Sequence, residues 1–231
     1  SEGGSGGGCP VDHTNGAKRP VYNVYNQQIN PENMMPYNPN NEPYPDQNAP
    51  ISQDRVSSNI PKGGTEGTWL YPSPQMFYNA CKRKGKAEGF DPTSAETVVA
   101  IHNNMNERTW MQVCEWEKRH PDQQGVSAPK LNRFCGKPDD LSPKAYLKSL
   151  IGYPEPFDRH DWYVLRGEQE VRYVIDYYYD EQMRNTSDKP PSLMSTAPSN
   201  ILVDARPAVD SFSTFVDRIV MFPSRALAAM Q

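Results

Sequence analysis

No run of about 18 apolar residues occurs in these 231 residues, so nothing in the sequence reads as a bilayer-spanning helix. Positive charge is not in surplus either. Lys and Arg number 24 against 28 Asp and Glu, a net charge of -4. That balance excludes a non-specific nucleic-acid binder, which needs excess cationic groups to displace counterions. Cysteine is sparse and scattered, at Cys9, Cys81, Cys114 and Cys135. With no C-x-x-C pair and no Cys/His spacing of the zinc type, a structural zinc site is not expected. An even count permits disulfides without requiring them in a chain this long, and the thiols are expected to be mostly reduced. Outside the low-complexity opening SEGGSGGG there is no G-x-S-x-G elbow, and H-E-x-x-H is missing. No secretory apolar region or initiator methionine is visible, so no compartment address is read here. The low-complexity opening SEGGSGGG is left out of the fold reasoning.

What is abundant is proline, 23 residues, in a chain with a 36% apolar share and a mean hydropathy of -0.82. These values predict a modest core carrying long irregular segments. Residues 1–65 fit that description, with tyrosines as their main large apolar groups ("PYNPNNEPYPDQNAP"). Such an arm buries too little apolar surface to offset its ordering entropy, so it is expected to be disordered or laid over the folded part. The globular pattern begins near "TWLYPSPQMFYNACKRKGK". A short helix is expected after Pro72, ending at Gly85. A longer one follows, opened by a Thr93/Glu96 capping box and stopped by Pro121 after His120. A third spans 142–151, from Ser142-Pro143 to Gly152. Then "DWYVLRGEQEVRYVIDYYYDE" alternates with period two on both sides of a glycine turn, a hairpin with Val171, Tyr173, Ile175 and Tyr177 on one face. "NILVDARP" reads as a further strand, and "AVDSFSTFVDRIVMF" as an amphipathic helix after Pro207. The fold class expected is α+β, several helices packed with a small antiparallel sheet.

The stretch "VVAIHNNMNERTW" sets an imidazole in an apolar arc. At about 100° per residue, Val98, Met105, Val113 and Trp116 fall near His102, while Val99 and Trp110 flank the arc and Glu107 lies well round from it. Two readings stand side by side. His102 is a core histidine satisfied by a hydrogen bond, or it is a neutral ligand to a transition metal such as iron in an apolar pocket. "FDRHDW" places Arg159, His160 and Asp161 together before a strand. Neighbours in a strand point to opposite faces, so a local charge cluster is favoured over an acid–base pair. "CPVDH" sets Cys9 and Pro10 four residues before His13, and Lys82, Arg83, Lys84 and Lys86 form a basic cluster.

Taken in order, "WLYPSPQMFYNA", "IHNNMNERTW…EWE", "NRFCGKP", "LSPKAYLKSLIGYPEPFDRHDW", "VRYVIDYYY" and "LVDARPAVD" resemble the mitochondrial cytochrome c haem lyases, over residues 67–220. The resemblance implies a lyase, a holocytochrome c synthase. Such an enzyme takes haem b (iron-protoporphyrin IX) as substrate and an apocytochrome c as partner, recognised through its N-terminal helix and C-x-x-C-H segment. It forms two thioether bonds to the haem vinyls. By the same resemblance His102 is the axial iron ligand and the catalytic residue. Trp69 and Tyr71 line the haem site, with Met105 beside it. Glu107 matches a carboxylate that follows the ligand, though its angular position suits support of the helix. Arg133 is expected at a haem propionate, because guanidinium pairs well with carboxylate. Arg159, His160 and Asp161 are expected in supporting roles. Cys9 and Pro10 match a haem regulatory motif. The resemblance divides the chain into an arm, 1–65, and a catalytic domain, 66–231. It implies the mitochondrial intermembrane space, with peripheral attachment to the inner membrane. A haem-binding chaperone or carrier without thioether chemistry is the alternative.

Overall fold

The computed structural model describes residues 21–22, 28–30, 35–36, 41–45, 47–83, 85, 88–118, 120, 128–137, 140–179, 192–194 and 200–228. Cys9, Pro10, His13, Lys84 and Lys86 lie outside the described residues. Within the arm, β1 (Val21–Tyr22), β2 (Gln28–Asn30) and β3 (Met35–Pro36) form a small antiparallel sheet. Strand β4 (Ser57–Pro61) pairs antiparallel with β5 (Thr68–Leu70), and Ile60 joins the main core. One apolar side chain in "SSNIP" is too weak a pattern to announce a strand. The pair docks on the main sheet through one carbonyl: Leu131 O accepts from Gly63 N at 2.8 Å and Trp69 Nε1 at 3.1 Å. Gly63 permits this approach, since a Cβ there would stand 2.9 Å from the Asn132 backbone.

Helix α1 (Pro74–Arg83) ends as expected before Gly85, whose φ of 66° suits a helix stop. Helix α2 (Ala95–Glu117) is preceded by a 3-10 turn over Pro92–Ser94. The Thr93/Glu96 capping box is not what starts it. Asp91 accepts from Thr93 N at 3.0 Å, because Pro92 has no N–H and the first donor free to be capped is Thr93. Strand β6 (Lys130–Gly136) was not visible as a strand, since Asn132, Arg133 and Phe134 break the apolar alternation. Helix α3 (Pro143–Ser149) has Ser142 as N-cap, accepting from Ala145 N at 3.1 Å. The hairpin is β7 (Asp158–Arg166) and β8 (Gln169–Tyr179), turning at Gly167 with φ 61°. Strand β9 (Ile201–Pro207) leads into α4 (Phe212–Ala228). The four-stranded antiparallel sheet runs β6-β7-β8-β9, and the architecture is α+β.

Register assigns each face of this sheet, because directly paired residues of antiparallel strands point the same way. Val171, Tyr173, Ile175 and Tyr177 share one face with their partners Val164, Trp162, His160 and Asp158. Helix α2 covers that face. Trp116 Nε1 donates to Ala205 O at 2.8 Å, Gln112 Nε2 to Val203 O at 2.9 Å, and Thr109 meets the Tyr177 hydroxyl at 3.1 Å. The opposite face is polar and largely buried. Asp161, fully buried, receives Arg159, Lys137 and Arg172. Asp176, also fully buried, receives Arg206 and the Ser142 hydroxyl, which fastens the start of α3 to the sheet.

Candidate functional site

His102 does not lie in the core. Its arc is apolar, and Val99, Met105, Val113 and Trp116 are buried, yet His102 itself is exposed. The reason is tertiary. The start of α2 packs in a cluster with Ile51 and Tyr78 through Ala95, whereas from Met105 onward the helix packs on the sheet. His102 stands between the two clusters, where the sheet does not cover it and α1 reaches it through Phe77 alone among the described residues.

Two contacts fix the ring. Nδ1 lies 2.8 Å from Val98 O, and the Phe77 ring of α1 sits 5.5 Å away, centroid to centroid. A carbonyl only accepts, so Nδ1 carries the proton, and the Nε2 lone pair of the neutral ring is directed away from the helix backbone. Among the described residues Nε2 has no protein partner. Asp158, at the near end of β7, lies close enough for His102 to act on its charge. Burial raises the pKa of Asp158, but His160, the Arg159 N–H and His102 outweigh it, and the carboxyl sits below its ordinary value. His160 points to this same side of the sheet. Its Nε2 is 3.2 Å from Asp158 Oδ2, and its ring stands edge-on to Tyr177 at 5.5 Å. Its Nδ1 is buried without a partner among the described residues. Asp161 faces the other way, so His160 and Asp161 do not form a pair; Asp158 is the carboxylate that His160 meets.

Glu107 is almost wholly buried on the flank of α2 away from His102. One oxygen, Oε1, accepts from Ser58 Oγ at 2.6 Å, Tyr71 OH at 3.0 Å and Asn59 N at 3.1 Å. Glu107 and Tyr71 thus join the helix that carries His102 to the β4–β5 pair. Burial, then the Glu107 carboxylate, pushes the Tyr71 pKa far up, so its hydroxyl stays a donor. Trp69 is half-buried, bonded to Leu131 O and edge-on to Phe134 at 5.6 Å. Met105 points into the core.

Arg133 is not brought to His102. It pairs with Tyr163 in register, which puts it on the sheet face opposite α2. Its guanidinium stacks on the Tyr163 ring at 3.4 Å and meets Glu170 at 2.8 Å. Arg159 likewise belongs to the far face, beside Asp161. Phe77 and the Val98 carbonyl, which contact the imidazole, carry no signal of their own in the sequence: every helical residue has a carbonyl four positions back, and nothing in "PSPQMFYNACKRKG" singles out Phe77. Asp158 was readable only as one of several acids around His160.

Chemically, His102 presents one oriented imidazole, its Nε2 without a protein partner among the described residues, beside an aromatic ring. A lone imidazole suits an iron whose equatorial positions a macrocycle already fills, and leaves the opposite axial position to a second ligand. The cytochrome c/c1 heme lyase family profile matches residues 2–222. The chain is 40% identical over 218 residues to the holocytochrome c-type synthase of Gallus gallus, covering 91% of this chain and 71% of that protein. It is 39% identical over 249 residues to the holocytochrome-c synthase of Saccharomyces cerevisiae, covering 96% and 88%. A putative holocytochrome-c1 synthase of Schizosaccharomyces pombe is 42% identical over 142 residues, covering 59% and 64%. No solved structure matches.

Proposed function

This chain belongs to the cytochrome c/c1 heme lyase family, and from that premise we propose that it attaches haem b to apocytochrome c, with His102 as the axial ligand it contributes. As a lyase of this family it works on two substrates, the haem and the apocytochrome. The observation that carries the reading is the oriented imidazole: Nδ1 held by the Val98 carbonyl, Nε2 left to bind iron. The histidine of the partner's C-x-x-C-H segment fills the second axial position. Two axial ligands fix the macrocycle, so both thiols of the segment stand over the vinyl groups and an intermolecular addition becomes a positioned one.

Each addition balances without an oxidant. The S–H bond breaks, sulfur bonds one vinyl carbon, and the proton goes to the other. The partner's cysteines must therefore arrive as thiols. The role of the protein is mainly to bind and orient. Phe77 packs beside His102, the two rings tilted by 46°. Glu107 and Tyr71 hold its helix against β4. Release then requires that the bond between His102 and iron be weak enough to exchange once the cytochrome folds.

The site of action proposed is the mitochondrial intermembrane space, with peripheral attachment to the inner membrane. No described helix is long and apolar enough to cross a membrane. The test is a visible absorption spectrum of the purified protein, oxidised and dithionite-reduced, beside His102→Ala. The expected result is a low-spin haem signal lost in the variant, together with loss of product whose haem resists acid–acetone extraction. An unchanged signal in His102→Ala moves the ligand elsewhere.

A further inference from the structure

Helix α2 runs alongside β9 in step with it. Trp116 Nε1 meets Ala205 O at 2.8 Å and Gln112 Nε2 meets Val203 O at 2.9 Å, so four residues of helix track two of strand. Thr109 continues the series on the Tyr177 hydroxyl at 3.1 Å. His102 lies seven residues earlier, about 10 Å farther along the axis and within about 20° of the Thr109 direction. The last pair of the sheet at that end is Tyr179 with Ile201. The imidazole therefore projects past the end of the sheet, on the side that α2 covers.

Two aromatic rings stand at that same end. Tyr179 is two residues beyond Tyr177, so it points to the α2 side of β8. Phe157, just before β7, is anchored by its N–H on Tyr177 O at 2.9 Å. Its ring stacks on Tyr179 at 4.1 Å, with 22° between the planes. The two are 37% and 57% exposed, so they form an aromatic wall that the core does not use. Asp158, in register with Tyr177, adds a carboxylate to this flank. The other flank of His102 is α1. Its Phe77 touches the imidazole, and its only charges are the cations Lys82 and Arg83.

Haem b is two-sided in the same sense. One edge carries the two apolar vinyl groups, and the opposite edge carries two propionate carboxylates. Axial ligands hold the plane of the macrocycle but leave it free to turn about the axis through iron. Resting on the reading of His102 as the ligand, we infer that Phe157 and Tyr179 set that rotation. The vinyl edge lies on the aromatic pair, and the propionates turn away from Asp158 toward the α1 flank. Apolar area then meets apolar area, and the carboxylates leave the side that already holds one. The partner's thiols meet the vinyl groups in one rotation only. Phe157 and Tyr179 are thus positioning residues for both thioether bonds.

The test compares the full chain with Tyr179→Phe and Tyr179→Lys. Each is loaded with haem b or with its dimethyl ester, which keeps the vinyl groups and has no carboxylate. Proton NMR of the haem methyl groups in the low-spin ferric complex reports the rotation. Haem on the apocytochrome that resists acid–acetone extraction reports the product. Tyr179→Phe matches the parent in both. With haem b, Tyr179→Lys keeps the low-spin spectrum, shows a second set of methyl signals, and loses product by about tenfold, since the introduced cation draws the propionates to the wrong side. With the dimethyl ester its product returns to within about twofold of the parent's, because no carboxylate is there to attract. A parental methyl pattern and yield in Tyr179→Lys with haem b overturns the inference. So does an equal loss with both haems, in which case the pair meets the apocytochrome rather than the haem. Loss of the low-spin signal in Tyr179→Lys also overturns it, since rotation leaves the iron ligands in place. A parent whose low-spin signal survives His102→Ala is the separate failure of the ligand reading, and this inference falls with it.

Discussion

Glu107 joins the His102 helix to β4, and its replacement by Ala or by Gln separates two effects. Ser58, Asn59 and Tyr71 all donate to the same oxygen, Oε1. In Glu107→Ala the three donors lose their acceptor at once. Ser58 Oγ and Tyr71 OH stand 3.4 Å apart, and Tyr71 OH is 3.5 Å from Asn103 O, so the two hydroxyls recover part of the loss from each other and from that carbonyl. One or two donors stay stranded, at about 1–3 kcal/mol each, and the total is about 1–6 kcal/mol. That is a large fraction of a domain stability of about 5–15 kcal/mol. Glutamine offers a carbonyl oxygen in the place of Oε1 and keeps all three bonds, so Glu107→Gln costs only about 1 kcal/mol, the difference between a charge-assisted and a neutral set. The assay is urea unfolding followed by tryptophan fluorescence, with haem titration on the same samples. Glu107→Ala unfolds at lower urea and binds haem more weakly, because the His102 turn is no longer tied to the strand. Equal losses in Ala and Gln would refute the argument that the acceptor oxygen matters.

The buried pair of Arg206 and Asp176 behaves asymmetrically. Arg206→Met leaves Asp176 buried with the Ser142 hydroxyl alone and costs about 3–5 kcal/mol, while Arg206→Met/Asp176→Leu recovers most of it; a double variant as unstable as the single one in urea sinks this account. Acid weakens the fold through Asp161. Burial raises its pKa, but Lys137, Arg159 and Arg172 outweigh that and hold it below its ordinary 3.8. A depressed folded pKa means that the unfolded chain binds the proton more tightly. The stabilisation is therefore complete above the ordinary value and is lost as pH falls through it toward the folded one. The urea midpoint should stay level above about pH 5 and fall below about pH 4, with a shallower fall in Asp161→Asn, on the ordinary carboxylate range; parallel curves for parent and variant contradict the assignment.

Much of the fold is legible from local chemistry. Ser142-Pro143 states a helix start, Gly85 and Gly167 state a helix stop and a turn, and the alternation at Val171, Tyr173, Ile175 and Tyr177 states which side of β8 is buried. Each is a property of residues near one another along the chain. Family membership was legible for the same reason, since long ordered motifs survive without knowledge of their packing. The candidate site was legible only in part. Helical period placed His102 in an apolar arc, and that arc is real. Whether a member of the arc is covered depends on how far the opposing surface reaches, and here α1 and the sheet leave a gap at that turn.

The same distinction runs through the other residues. The sequence by itself determined that Glu107 lies off the His102 side, that His160 and Asp161 diverge, and that α4 is amphipathic. Only the tertiary structure decided that Glu107 is buried under three donors, two from β4 and Tyr71 just after β5, that His160 meets Asp158, and that Glu170 holds Arg133 on the far face of the sheet. It also decided that α4 turns its polar stripe inward to His120 and Pro207. The physical reason is that helix and strand periods fix angles within one element. Burial, pairing and exposure are relations between elements distant in the chain, and they are set by which of many possible partners the packed core brings within bonding distance.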